Sequence, residues 1–252
     1  MLAVMPPIST ATPPLLNVCK GSPWWNAIVE SATVGRRSPG RLAGWLIFVL
    51  ALTALNYASY FAGADPPDDV AYRYSSSIGA VVQFAIMFGI LLLIARGLPL
   101  REAFGLRSPP SWGRALGLVP LALFAVWGAG LVYAQFLDAG EEQGLVPEDW
   151  DSSRAGAFAA YFASVAILAP IVEELMYRGL GFRLLAPYGA WVAILVTGLL
   201  FGAAHGLLIG FPILSLFGIL LGWVRSKTGS VYPCIAIHAI FNATALTVSV
   251  TV

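Results

Sequence analysis

The chain has 252 residues, of which 58% are apolar or aromatic and 11% are charged, and its mean hydropathy is +0.80. A soluble domain is about 45–50% apolar and about 25% charged, so this chain lacks the polar surface to fold as a compact body in water. Fourteen Lys and Arg against thirteen Asp and Glu leave a net charge of +1, too small a basic field to hold nucleic acid by counterion release. Cys19 and Cys234 match neither a zinc spacing nor a disulfide framework. The composition describes an all-α, polytopic transmembrane helix bundle, with lipid as its partner and no nucleic acid.

Residues 1–40 are rich in Pro, Ser and Thr and lack the apolar run of a signal peptide. They read as a cytoplasmic tail, in which Trp24 and Trp25 are candidates to dock at the membrane interface. A helix needs about 20 apolar residues to cross about 30 Å of hydrocarbon, and seven stretches approach that length. Residues 41–137 hold three of them, 42–63, 78–95 and 115–137. An acidic outer loop over 138–154 separates these from a second helical domain, 155–250, with spans at 155–177, 188–208, 209–224 and 231–250. The 209–224 stretch is short and begins where its predecessor ends, so this pair also fits a re-entrant feature.

Lys and Arg accumulate on the cytoplasmic side of membrane proteins. With the N-terminus inside, twelve of the fourteen fall in cytoplasmic segments, and only Arg73 and Arg154 fall outside. Nine acids, from Asp65 to Asp151, lie in the outer loops. The pattern predicts an N-terminus in and a C-terminus out. The preference for Arg over Lys and the compact loops fit a bacterial inner membrane.

An ionisable group inside a span costs from about 2.5 kcal/mol upward at the helix centre and is a functional candidate by default. Such groups concentrate in the last four spans: Glu173, Glu174 and Arg178, then His205, then His238 with Asn242. Successive helical residues lie about 100° apart, so Glu174 and Arg178, at i and i+4, share a face and can pair while Glu173 points elsewhere. Pro170 removes a backbone hydrogen bond and can kink this helix. His205 stands among small residues that let another helix approach, and His238 and Asn242 share one face. Together they are the parts of a hydrolytic site. A desolvated carboxylate can activate water, and imidazole and carboxamide donors can stabilise an oxyanion. Straight helices at about 1.5 Å per residue would leave Glu173 and His205 about 10 Å apart in depth, a gap that a tilt, a kink or an embedded start to the fifth span must close.

The motifs Glu173-Glu174-x-x-x-Arg178, Phe201-x-x-x-His205 and His238-x-x-x-Asn242 resemble those of the CPBP intramembrane proteases. This group, also called the Abi family, contains the CAAX prenyl endopeptidases and bacteriocin-processing or immunity proteins. Gly218 to Gly222, leading to Lys227-Thr228-Gly229-Ser230, is similar to its linking segment. The resemblance covers about 155–246 and implies that Glu173 activates water, that His205 and Asn242 bind the oxyanion, that His238 is a further catalytic or ligand residue, and that Glu174 and Arg178 shape the site. The implied substrate is a membrane-associated peptide or protein.

Metal dependence stays open. Glu173, His205 and His238 are a donor set for zinc, but there is no HExxH pair and the histidines lie 33 positions apart, which favours a glutamate mechanism without metal. Serine and aspartate chemistry lack their signatures. The competing class is a non-catalytic membrane immunity or scaffold protein, using small-residue pairs such as Gly206 with Gly210 and Gly218 with Gly222. A proton-coupled transporter would call for inverted repeats, and none is visible.

Overall fold

The computed structural model describes residues 38–63, 67–137, 142, 147 and 149–251, and the expected tail with Cys19, Trp24 and Trp25 lies outside them. Seven helices of fourteen or more residues carry the described chain: α1 (Pro39–Phe61), α2 (Tyr74–Ile94), α3 (Trp112–Tyr133), α4 (Ser152–Tyr188), α5 (Ala190–Ala203), α6 (Phe211–Thr228) and α7 (Tyr232–Ser249). No strand occurs among the described residues. Each helix corresponds to one expected span, but only α1, α2, α3, α4 and α7 are long and apolar enough to cross a membrane by length and composition. Five of the seven expected spans meet that measure. At 14 residues α5 is about 21 Å long, short of a hydrocarbon core, and α6 carries Arg225 and Lys227 in its last turn.

Loop contacts sort the connections into two ends. At one, Arg41 donates to the Arg96 carbonyl, Arg107 donates to the Gly229 carbonyl, and Arg183 faces Glu102 at 3.8 Å. At the other, Arg154 pairs with Asp69 and Asp151, and the Tyr72 hydroxyl donates to the Asp149 carbonyl. Arginine thus crowds one end and aspartate the other.

The fourth helix departs most from the expected 155–177. It runs continuously for 37 residues and contains two π-helical turns, Ser164–Leu168 and Leu175–Gly181. Pro170, with no N–H to give, follows the first of them directly. The helix accommodates this proline with a wide turn rather than a break, and such turns recur at functional sites. The core lies around the second: Met176, Tyr177, Leu180 and Phe182 are buried with Trp45 of α1 and Phe104.

Small residues set how closely the C-terminal helices meet. A side chain at Gly198 would collide with the Ile219 backbone, and one at Gly218 with the Gly198 carbonyl. Gly202 packs as tightly on Ser215, and Gly222 lies against the Ile194 backbone with slightly more room. The Gly218 and Gly222 pair therefore seals α6 to α5 internally, and Gly206 packs on the Asn56 backbone.

Candidate active site

The two π turns flank Ala169–Glu174, the short α-helical stretch that carries both acids. Widening the ladder leaves backbone carbonyls without the usual partner, and side chains from other helices collect them. Trp45 donates its indole N–H to the Met176 carbonyl at 3.0 Å, and Arg225 donates to the Arg178 carbonyl at 2.8 Å. Gly179 and Gly181 let Phe104 and Trp45 press against this turn. The turn that aims Arg178 is thus pinned from three sides.

Within it, Glu174 and Arg178 are fully buried and paired at 2.9 Å, as their i, i+4 spacing predicts. Arg178 also donates to the Gly218 carbonyl at 2.6 Å, which fixes the guanidinium against α6. A carboxylate held by a guanidinium only accepts hydrogen bonds. His238 Nδ1 lies 2.9 Å from Glu174 Oε1, so Nδ1 carries a proton and donates it. The other ring nitrogen, Nε2, then faces Glu173, 3.9 Å from Oε2. That oxygen is buried and has no hydrogen-bond partner within the protein. The Glu173 side chain keeps 17% of its exposure against 0% for Glu174, so adjacent acids occupy different settings.

His205 sits two residues past the end of α5, where Gly206 turns the chain at φ +70. Its ring folds back, with Nδ1 2.8 Å from the Phe201 carbonyl. The Phe201 ring touches both imidazoles, at 4.8 Å for His205 and 5.4 Å for His238. Because α5 stops at Ala203 and the histidine turns back along it, His205 and His238 meet the same aromatic ring. Phe217 packs on His238 at 5.4 Å and stacks on Phe241. One turn beyond His238, Asn242 uses one amide hydrogen to reach the Val165 carbonyl at 2.9 Å, in the first π turn.

The structure thus joins Glu173, Glu174, Arg178 and His238 in one array, adds His205 through Phe201, and ties Asn242 to the same helix that carries the acids. Sequence reading named Phe201 only as part of a motif and missed Phe217, which with it encloses the imidazoles, and Trp45 and Arg225, which hold the π turn. Arg225 carried a visible signal: it follows Gly218 and Gly222 at i+7 and i+3, on the same close-packed stripe. Among the described residues, no three His, Cys, Asp or Glu side chains gather to hold a metal ion. His205 Nδ1 is turned to a backbone carbonyl and His238 Nδ1 to the arginine-paired Glu174, which leaves Nε2 as the free nitrogen of each ring. An apolar groove of about 430 Å³ runs between α2 and α4, lined by Tyr74, Ser77, Val81, Ala160, Ser164 and Leu168 among others.

No curated protein and no solved structure matches the chain. Residues 155–244 match the family described as type II CAAX prenyl endopeptidase Rce1-like. The matched stretch starts with the body of α4 and contains every residue of the array, and it agrees with the likeness read from the three motifs. This segment is therefore similar to the Rce1-like group of CAAX proteases, and five helices long and apolar enough to cross a membrane make the chain an integral membrane protein.

Proposed function

We propose that the protein is an intramembrane endopeptidase that hydrolyses a peptide bond of a membrane-associated peptide or protein, with Glu173 as the base that activates water. The observation that carries this reading is the pair of acceptors 3.9 Å apart, Glu173 Oε2 and His238 Nε2, at the edge of a buried ion pair. A water within hydrogen-bond distance of both donates one hydrogen to each and turns a lone pair outward. As its oxygen bonds to the scissile carbonyl carbon, Glu173 takes one proton. The carbonyl oxygen becomes an oxyanion, which the second Asn242 amide hydrogen can reach as a donor. Since His205 Nδ1 already donates to Phe201, His205 donates to that oxyanion through Nε2 as imidazolium. When the C–N bond breaks, the Glu173 proton passes to the leaving nitrogen, giving an amine and a carboxylic acid that keeps the second hydrogen of the water. Glu174 and Arg178 act by holding His238 in the tautomer this requires. No step is routed through a metal.

The crowding of arginine at one end and aspartate at the other supports a cytoplasmic N-terminus and an outer C-terminus in a bacterial inner membrane. The groove between α2 and α4 offers a path for the apolar part of a substrate from the lipid. The scaffold alternative loses its docking stripe, because Gly218 and Gly222 are occupied against α5.

The test is Glu173→Gln in the full chain, reconstituted in liposomes with a membrane-tethered fluorogenic peptide. Removing a general base predicts a loss of about 10²–10⁴-fold in cleavage with an unchanged melting midpoint. Full retention of cleavage overturns the proposal.

A further inference from the structure

The turn that carries His205, from Ala204 to Gly210, makes few bonds of its own and is held by four side chains from outside it. Asn56 donates to the Ala204 carbonyl at 2.6 Å, Tyr57 to the Leu207 carbonyl at 3.2 Å, and Tyr133 to the Ile209 carbonyl at 2.6 Å. The fourth is Glu142, in the segment between α3 and α4. Its carboxylate accepts three consecutive backbone N–H groups, Leu208 at 2.7 Å, Ile209 at 3.0 Å and Gly210 at 2.6 Å. Successive amides converging at the start of α6 form an anion-binding nest, and here the chain fills it with its own carboxylate. Partial burial pushes the Glu142 carboxyl up, but the three amides and the Tyr60 hydroxyl outweigh it and hold it below the ordinary carboxylate range. Tyr57 and Tyr60 of α1 face it.

We infer that Glu142 is a positioning residue: by occupying this nest it locks the His205 turn in the geometry that sets the imidazole beside Phe201 and His238. The inference rests on the endopeptidase reading for its effect on rate but not for its effect on His205. No other side chain among the described residues contacts this turn through a carboxylate. Loss of the charge leaves three amides without an acceptor and frees the turn to shift, and a misplacement of about 1 Å can cost about 10²-fold in rate.

The experiment compares wild type, E142A and E142Q as full chains in lipid nanodiscs. The protein has only two histidines, so ¹⁵N-histidine spectra give two sets of ring signals, assigned with H205Q. In E142A the His205 signals move and those of His238 stay. Cleavage shows a fall in kcat with KM nearly unchanged, and added acetate, which fits the emptied nest, restores much of it. In E142Q the His205 signals also move, but acetate does nothing because the amide fills the space. Unmoved His205 signals in both variants overturn the inference, as does a kcat loss in E142A that acetate leaves untouched. Should E142A fail to fold, the E142Q spectrum decides alone. A wild type that cleaves no peptide refutes the endopeptidase reading, while the histidine spectra still decide the role of Glu142.

Discussion

Along α1, α2 and α3, 11–22% of the most apolar stretch is buried within the protein, whereas along α4 the share is 44%. The glycines differ in the same way. A Cβ added at Gly79, Gly89, Gly117 or Gly128 in α2 and α3 would meet nothing within 4 Å, while one at Gly179, Gly198, Gly202 or Gly218 would meet backbone or side chain at once. The first three helices therefore turn mostly toward lipid and touch the rest at selected points such as Trp45 and Asn56. The last four are packed against one another around charged groups that lipid could not tolerate. One half of the chain supplies a wall, and the other supplies a buried polar interior.

Breaking the interior should cost most. Arg178→Met leaves the buried Glu174 carboxylate without its countercharge and is expected to destabilise by about 3–5 kcal/mol, read as a lowered unfolding midpoint in detergent. The tight glycines come next. Gly202→Val drives a side chain into Ser215 and its backbone and should cost about 1–3 kcal/mol or more. The opposite sign is expected in the wall: Gly128→Ala meets no neighbour and should stabilise by roughly 0.5–1 kcal/mol through helix propensity. A destabilising Gly128→Ala, or a neutral Gly202→Val, would erase the contrast between the halves.

The smallest effect lies in the aspartate-rich end. Hydrogen bonds from the Ser153 hydroxyl and from Arg154, with the Ser153 amide, hold the Asp151 carboxyl down at about 2. A depressed folded value contributes stability that is fully present above the ordinary value of 3.8 and is lost as pH falls toward about 2. The melting midpoint should therefore drop modestly across that window, and Asp151→Asn should flatten that part of the profile.

Much of the contrast is legible in the sequence, because intramembrane charge is costly and its clustering in 155–250 stands out. The Glu174 and Arg178 pair follows from helical spacing alone and is found at 2.9 Å. The seven helices lie near their expected stretches, but the shortness of α5 was hidden, since Ala204 to Leu208 remain apolar while Gly206 turns the chain. The π turns were hidden too. Each inserts a residue into the 3.6-residue period, so faces calculated from that period shift once the whole turn has been passed. How Glu173, pointing away from Glu174, still reaches the same residue was equally invisible. The answer lies in the imidazole, whose two nitrogens address the two acids from opposite sides of one ring. The expected lines of contact from His205 and Asn242 instead run first to backbone carbonyls, Phe201 and Val165.

The central claim is that Glu173 and His238 hold a water between them. A high-resolution structure of the protein in lipid tests it most directly. The account predicts solvent density within hydrogen-bond distance of both Glu173 Oε2 and His238 Nε2, lost or displaced in Glu173→Ala. A direct contact between carboxylate and ring that excludes solvent, or Glu173 turned into the acyl chains, would contradict it.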